Sequence, residues 1–112
     1  MMKSLEPLVY KHKVNLIISG HVHAYERTHP VYNSKLDPDG PTYIVIGDGG
    51  NLEGHASTYI QPQPSWSAYT NGTAYGYGVL TVSKSFLKWS WYRNQDRVFK
   101  VSDQVTIKSN LF

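Results

Sequence analysis

His21 and His23 stand one residue apart in Gly20-His21-Val22-His23, directly after the apolar run Val14 to Ile18. If the chain leaves that run still extended, period-two geometry sends both rings to one side, with α-carbons about 6.5 to 7 Å apart. Paired imidazoles at that spacing are metal-ligand chemistry, since neutral imidazole is a common nitrogen donor to zinc and iron. Gly20 lets the backbone turn tightly beside a cation. The pair alone also fits two core or surface histidines, so its surroundings carry the argument.

The elements that must position the pair can be read from hydrophobic spacing. Leu5, Leu8, Val9 and His12 fall at i, i+3, i+4 and i+7. With Ser4 as cap and Pro7 in the first turn, this predicts a helix over 5–11 and a core-facing His12. Val14 to Ile18 and Thr42 to Ile46 are short apolar runs rich in β-branched residues, as in strands covered on both faces of a parallel sheet. Between them, Asp37-Pro38-Asp39-Gly40-Pro41 is a cluster of turn formers. Residues 51–78 read as a long irregular loop. An antiparallel meander is expected after it: Val79 to Ser83, a turn at Lys84-Ser85, then Phe86 to Tyr92 with Trp89 and Trp91 on one face, and short strands at 98–101 and 105–107. Two buried strands are too few for a complete parallel sheet. The sheet is therefore expected to continue into something before Met1.

Composition narrows the function classes. A chain of 112 residues fits one domain burying about 60 to 70% of its unfolded surface. The net charge of +3 is modest and the basic residues are scattered, which gives nucleic-acid binding little support. No apolar stretch approaches the roughly 18 to 20 residues of a membrane span, and Met1 to Pro7 lacks the apolar segment of a signal peptide. The absence of cysteine excludes disulfides, thiolate metal sites and a cysteine nucleophile. Asn71-Gly72-Thr73 matches the acceptor pattern for N-glycosylation, relevant if the chain enters the secretory route.

Four blocks, taken together, go further than the histidine pair. They are Ser19 to Thr28, Tyr43 to Asn51, Gln61 to Ala68, and Trp89-Ser90-Trp91-Tyr92-Arg93-Asn94-Gln95-Asp96. In this order they strongly resemble the C-terminal part of purple acid phosphatases, within the calcineurin-like metallophosphoesterases, over nearly the whole chain. The resemblance implies an α/β fold: the C-terminal part of a metallophosphoesterase-type β-sandwich flanked by helices, ending in the antiparallel meander. Residues 1–36 would carry the last metal-ligand block and 37–112 the C-terminal region, as one structural unit.

The resemblance also implies hydrolysis of phosphate monoesters at acid pH by a dinuclear centre, Fe(III) paired with Zn, Mn or Fe. By position, His21 would serve the divalent ion and His23 the iron. Two cations held by adjacent same-side donors suit an in-line displacement. Carboxylates are also needed to offset the cations' charge. The family's Gly-Asp-x-x-Tyr and Gly-Asn-His blocks and a further ligand histidine would lie before Met1, leaving this chain inactive alone and dependent on the missing N-terminal part of the domain or an equivalent chain. The family's localisation is secreted, lysosomal or vacuolar.

Tyr25, Glu26 and Arg27 are read as support for the ligand loop, with Glu26 and Arg27 paired or orienting an imidazole. Asp48 sits in Gly47-Asp48-Gly49-Gly50-Asn51, which departs from both ligand blocks at Asn51 and Leu52, so it is assigned to a turn. His29 and His55 are read as solvated loop residues. Tyr77 stands where the family commonly has histidine, which removes the basis for an outer-shell role there. Trp66, Trp89 and Trp91 are assigned to packing. Two other readings compete. One is a non-catalytic binding module acting through its Tyr-rich loop. The other is a cupin-type mononuclear site, disfavoured because Asn15 stands at the expected glycine and Glu26 comes too soon.

Overall fold

The computed structural model describes residues 2–20, 22–50, 65–94 and 100–108, with side chains from residue 5 onward. One helix and nine strands are assigned among them. Helix α1 spans Met2–Lys11, so it begins three residues before the expected start. Pro7 therefore falls in its interior rather than its first turn, where the missing N–H removes one helical hydrogen bond. The helix ends in a Schellman motif: Val14 N–H donates to Val9 C=O (3.0 Å) and Lys13 N–H to Tyr10 C=O (3.1 Å), with Lys13 left-handed at φ 55°. His12, expected to face the core, is exposed because it sits at this C-terminal cap.

A four-stranded sheet has the order β1 (Leu16–Ser19), β5 (Thr42–Ile46), β2 (Tyr25–Thr28), β6 (Ser67–Asn71). The two expected apolar strands are parallel neighbours, Leu16 opposite Thr42 through Ser19 opposite Val45. Strand β2 runs antiparallel to β5 on one side and to β6 on the other. In the connection, β3 (Val31–Tyr32) and β4 (Lys35–Leu36) form a hairpin. Its two central residues, Asn33 (φ 53°) and Ser34 (φ 61°), are both left-handed, which is the type I′ geometry that matches strand twist.

A second sheet stacks β7 (Gly76–Val82), β8 (Phe86–Arg93) and β9 (Val101–Lys108) as an antiparallel meander. The turn between β7 and β8 is closed by Ser83 N–H donating to Phe86 C=O at 2.9 Å. Two expectations are corrected here. The stretch read as an irregular loop contains β6 and the start of β7, with 51–64 outside the described residues. The last two short strands are one continuous β9 from Val101, while 98 and 99 lie outside the described residues.

The sheets meet through Tyr25, Ile44, Ala74, Trp89 and Trp91, with Leu16, Ile46, Tyr69 and Val105 packed around them. Trp89 and Trp91 share the inward face of β8 as their period-two spacing requires, and both are buried. The Trp91 ring lies flat on Tyr25, centroids 4.4 Å apart and planes 5° from parallel. Gly78 is what lets Trp89 lie over β7, since a Cβ at this position would overlap the indole.

Candidate functional site

Because β1 and β5 are parallel, the segment after β1 and the segment after β5 emerge at one end of the sheet. The first carries the histidine pair; the second is Gly47-Asp48. His21 lies outside the described residues. His23 is half-buried in the connection from β1 to β2. Ala24 N–H donates to Val22 C=O at 2.9 Å, a three-residue turn with His23 at its centre. The chain is therefore bent at His23, and the extended geometry expected for the pair does not hold there.

What fixes this bend begins at the next residue but one. Tyr25 is fully buried, and its hydroxyl donates to Asp103 Oδ2 at 2.7 Å while accepting Trp89 Nε1–H at 2.8 Å. Arg27, two residues on and so on the same face of β2, closes a bidentate pair with Asp103, Nε to Oδ2 at 2.8 Å and Nη2 to Oδ1 at 2.9 Å. One carboxylate from the second sheet thus holds both ends of the inward face of β2. Burial is the largest influence on Asp103 and pushes its pKa up, yet the donors from Arg27 and Tyr25 together hold it below the usual aspartate range. Burial, then Asp103, push the Tyr25 phenol well above its ordinary value.

The expected Glu26–Arg27 pairing is replaced by this arrangement, since adjacent strand residues point to opposite faces. Glu26 accepts a long bond from Ser67 Oγ across the sheet (3.5 Å), and burial raises its pKa. Asp48, assigned to a turn, follows β5 with its side chain in the core. Its side chain is buried and its Oδ2 accepts Trp91 Nε1–H at 2.9 Å, while its carbonyl accepts Gly76 N–H at 2.8 Å. Sequence reading missed Asp103 altogether. Its signal was available: in β9 a single acid shares one face with Val105 and Ile107, and a charge among apolar residues on an inward face calls for a partner.

Other expected positions are placed as follows. His29 is exposed, and His55 lies outside the described residues. Tyr77 is exposed and stacks on Tyr92 at 5.3 Å. Asn71, at the end of β6, uses its side-chain oxygen to accept Thr73 N–H (2.9 Å), Ala74 N–H (3.0 Å) and Thr73 Oγ1–H (3.3 Å). That is a side-chain-built turn. Among the described residues, no group of three or more His, Asp or Glu side chains converges to hold a metal ion. A dinuclear centre needs several donors around each cation, so the described residues do not make one by themselves.

Comparison with known proteins identifies the lineage. Residues 40–104 match the family described as Iron/zinc purple acid phosphatase-like protein C. The chain belongs to the purple acid phosphatase family. It corresponds to a C-terminal portion of such proteins. It is 46% identical over 110 residues to purple acid phosphatase 18 of Arabidopsis thaliana, an alignment covering 97% of this chain and 25% of that protein. Probable purple acid phosphatase 20 of the same plant is 46% identical over 112 residues, covering 99% of this chain and 26% of the relative. The fold superposes on purple acid phosphatase PPD1 from yellow lupin (Lupinus luteus) seeds with a TM-score of 0.78 and 28% identity, over 93% of this chain and 19% of that one. The chain thus spans about a quarter of the length of these Arabidopsis relatives. The sheet-rich architecture is that of a purple acid phosphatase C-terminal portion.

Proposed function

We propose that this chain contributes His21 and His23 to the dinuclear metal centre of an acid phosphatase that hydrolyses phosphate monoesters. Fe(III) and a divalent Zn, Mn or Fe ion would be the metals, and the remaining donors would come from outside these 112 residues. The observation that supports the reading is membership of the purple acid phosphatase family, with His23 lying just beyond the end of the parallel strand pair. When bound, such a centre supplies Lewis-acid activation of a phosphate oxygen. What this chain adds is the pair of imidazole donors, with the backbone at His23 bent by a three-residue turn. Secretion or residence in a lysosome or vacuole is part of the same proposal.

The test is a chimera in which this chain replaces the matching quarter of Arabidopsis purple acid phosphatase 18. The chimera is expected to turn over a phosphate monoester, and His21→Ala or His23→Ala to lower kcat by more than about 100-fold with loss of bound metal. The chain alone is expected to show no turnover. Full activity in both histidine variants, or turnover of about 1 to 1,000 per second by the chain alone, would count against the proposal.

Asn71 is proposed as a glycan acceptor, because the turn engages its side-chain oxygen and glycosylation uses its nitrogen. Expressed behind a secretory leader, the chain is expected to carry a glycosidase-sensitive mass increment that Asn71→Gln removes. An unchanged mass in the parent chain refutes this assignment.

A further inference from the structure

We infer that the cavity at the end of β2 opposite His23 is a binding site for a small oxyanion of the phosphate class. It has a volume of about 300 Å³ between the end of β2, the start of β5 and the end of β9, and Arg27, Thr28, His29, Thr42, Thr106 and Lys108 line it beside prolines and the aliphatic residues of β9. No aspartate or glutamate is among its described lining residues. His29, Lys108 and the Arg27 N–H groups that Asp103 leaves free are therefore nitrogen donors at a space without a carboxylate among its described lining residues, a composition suited to a compact anion.

Two of the threonines are built into the fold, while His29, Thr106 and Lys108 are exposed at the mouth. Thr28 and Thr42 are 6% and 2% exposed. Thr28 Oγ1 already accepts Tyr43 N–H at 3.0 Å, which leaves its own hydroxyl hydrogen to donate. Asp103 takes two of the five donors of the Arg27 guanidinium and so anchors it at the cavity wall. The nearby acid Asp37 is turned elsewhere, accepting from Tyr10 Oη at 2.9 Å and from Asp39 N–H at 2.9 Å. Position separates this cavity from the histidine segment. Tyr25 and Thr28 are the two ends of β2, about 10 Å apart in an extended strand, with His23 before the first and the cavity at the second.

The experiment is a calorimetric titration of the full 112-residue chain in chelator-containing buffer, with inorganic phosphate in one arm and methyl phosphate in the other. Saturable binding of either is expected at about millimolar dissociation constant, weakened about tenfold or more by His29→Ala/Lys108→Ala and unchanged by His23→Ala. Phosphate alone would mark the free ion as the ligand; both would mark the phosphate group wherever it is carried. His29 and Lys108 are exposed, so a circular dichroism spectrum matching the parent shows that the double variant is folded. No saturable heat in either arm, or binding that survives the double variant or disappears with His23→Ala, overturns the inference.

Discussion

Asp103→Ala is expected to destabilise the chain by about 3 to 5 kcal/mol, the cost of leaving one half of a buried ion pair uncompensated. The Arg27 side chain is 14% exposed, so water can replace little of what the carboxylate provides. The Tyr25 hydroxyl would lose its acceptor in the same step. Urea unfolding followed by circular dichroism measures the loss. A second variant separates charge from architecture: Arg27→Met/Asp103→Leu removes both charges and is expected to recover most of the stability, because a buried pair replaced by apolar groups of similar size is often neutral. Were Asp103→Ala to cost less than about 1 kcal/mol, the pair would be worth no more than a surface salt bridge.

The same carboxylate sets an acid limit. Its folded pKa lies below the ordinary aspartate value, so protons bind the unfolded chain more readily. Its contribution is therefore complete above the unfolded value of about 4 and is lost as pH falls through the lower folded value. Glu26, whose pKa burial raises, acts with the opposite sign. The difference between the parent chain and Asp103→Ala isolates the aspartate: that difference is expected to be flat from neutral pH to about 4 and to shrink below it.

Trp91→Ala is expected to cost about 3 to 5 kcal/mol, the range for removing a buried aromatic ring. Trp91 is fully buried, stacks on Tyr25 and donates its indole N–H to Asp48. Both the cavity and the lost donor fall where the two sheets meet. Trp91→Phe keeps a stacking ring but not the N–H, so its smaller loss, about 1 to 3 kcal/mol, reports the hydrogen bond with part of the packing. Denaturant midpoints read by circular dichroism avoid the change in fluorescence. Equal losses in the two variants would mean that the Asp48 bond, rather than ring volume, holds the junction.

Elements whose residues carry their own periodic signal were legible in the sequence. Thr42 to Ile46 is a strand at both expected ends, and the alternation of Trp89 and Trp91 places them on one inward face. The family was legible from four blocks in order, and it is confirmed over 40–104. Strand β2 was not legible, because Tyr-Glu-Arg-Thr is polar on three of its four positions. Glu26 and Arg27 are half-buried and Thr28 is buried, and their partners Ser67, Asp103 and Tyr43 all come from other segments. Strand β6 escaped for a related reason: Ser67 to Asn71 has no apolar alternation and is a strand by virtue of pairing with β2. Period-based reading sees a residue's own preference, and here the partner decides.

The Tyr25–Asp103 bond spans 78 positions of sequence. On a ribosome adding about 5 to 20 residues per second, that separation amounts to a wait of about 4 to 16 s. Through that interval the segment bearing His23 exists without the carboxylate that holds the strand next to it. Distant pairings of this kind also slow folding, since the chain between them must be ordered before the contact forms. The strand that follows His23 is thus secured only after Asp103 has been made.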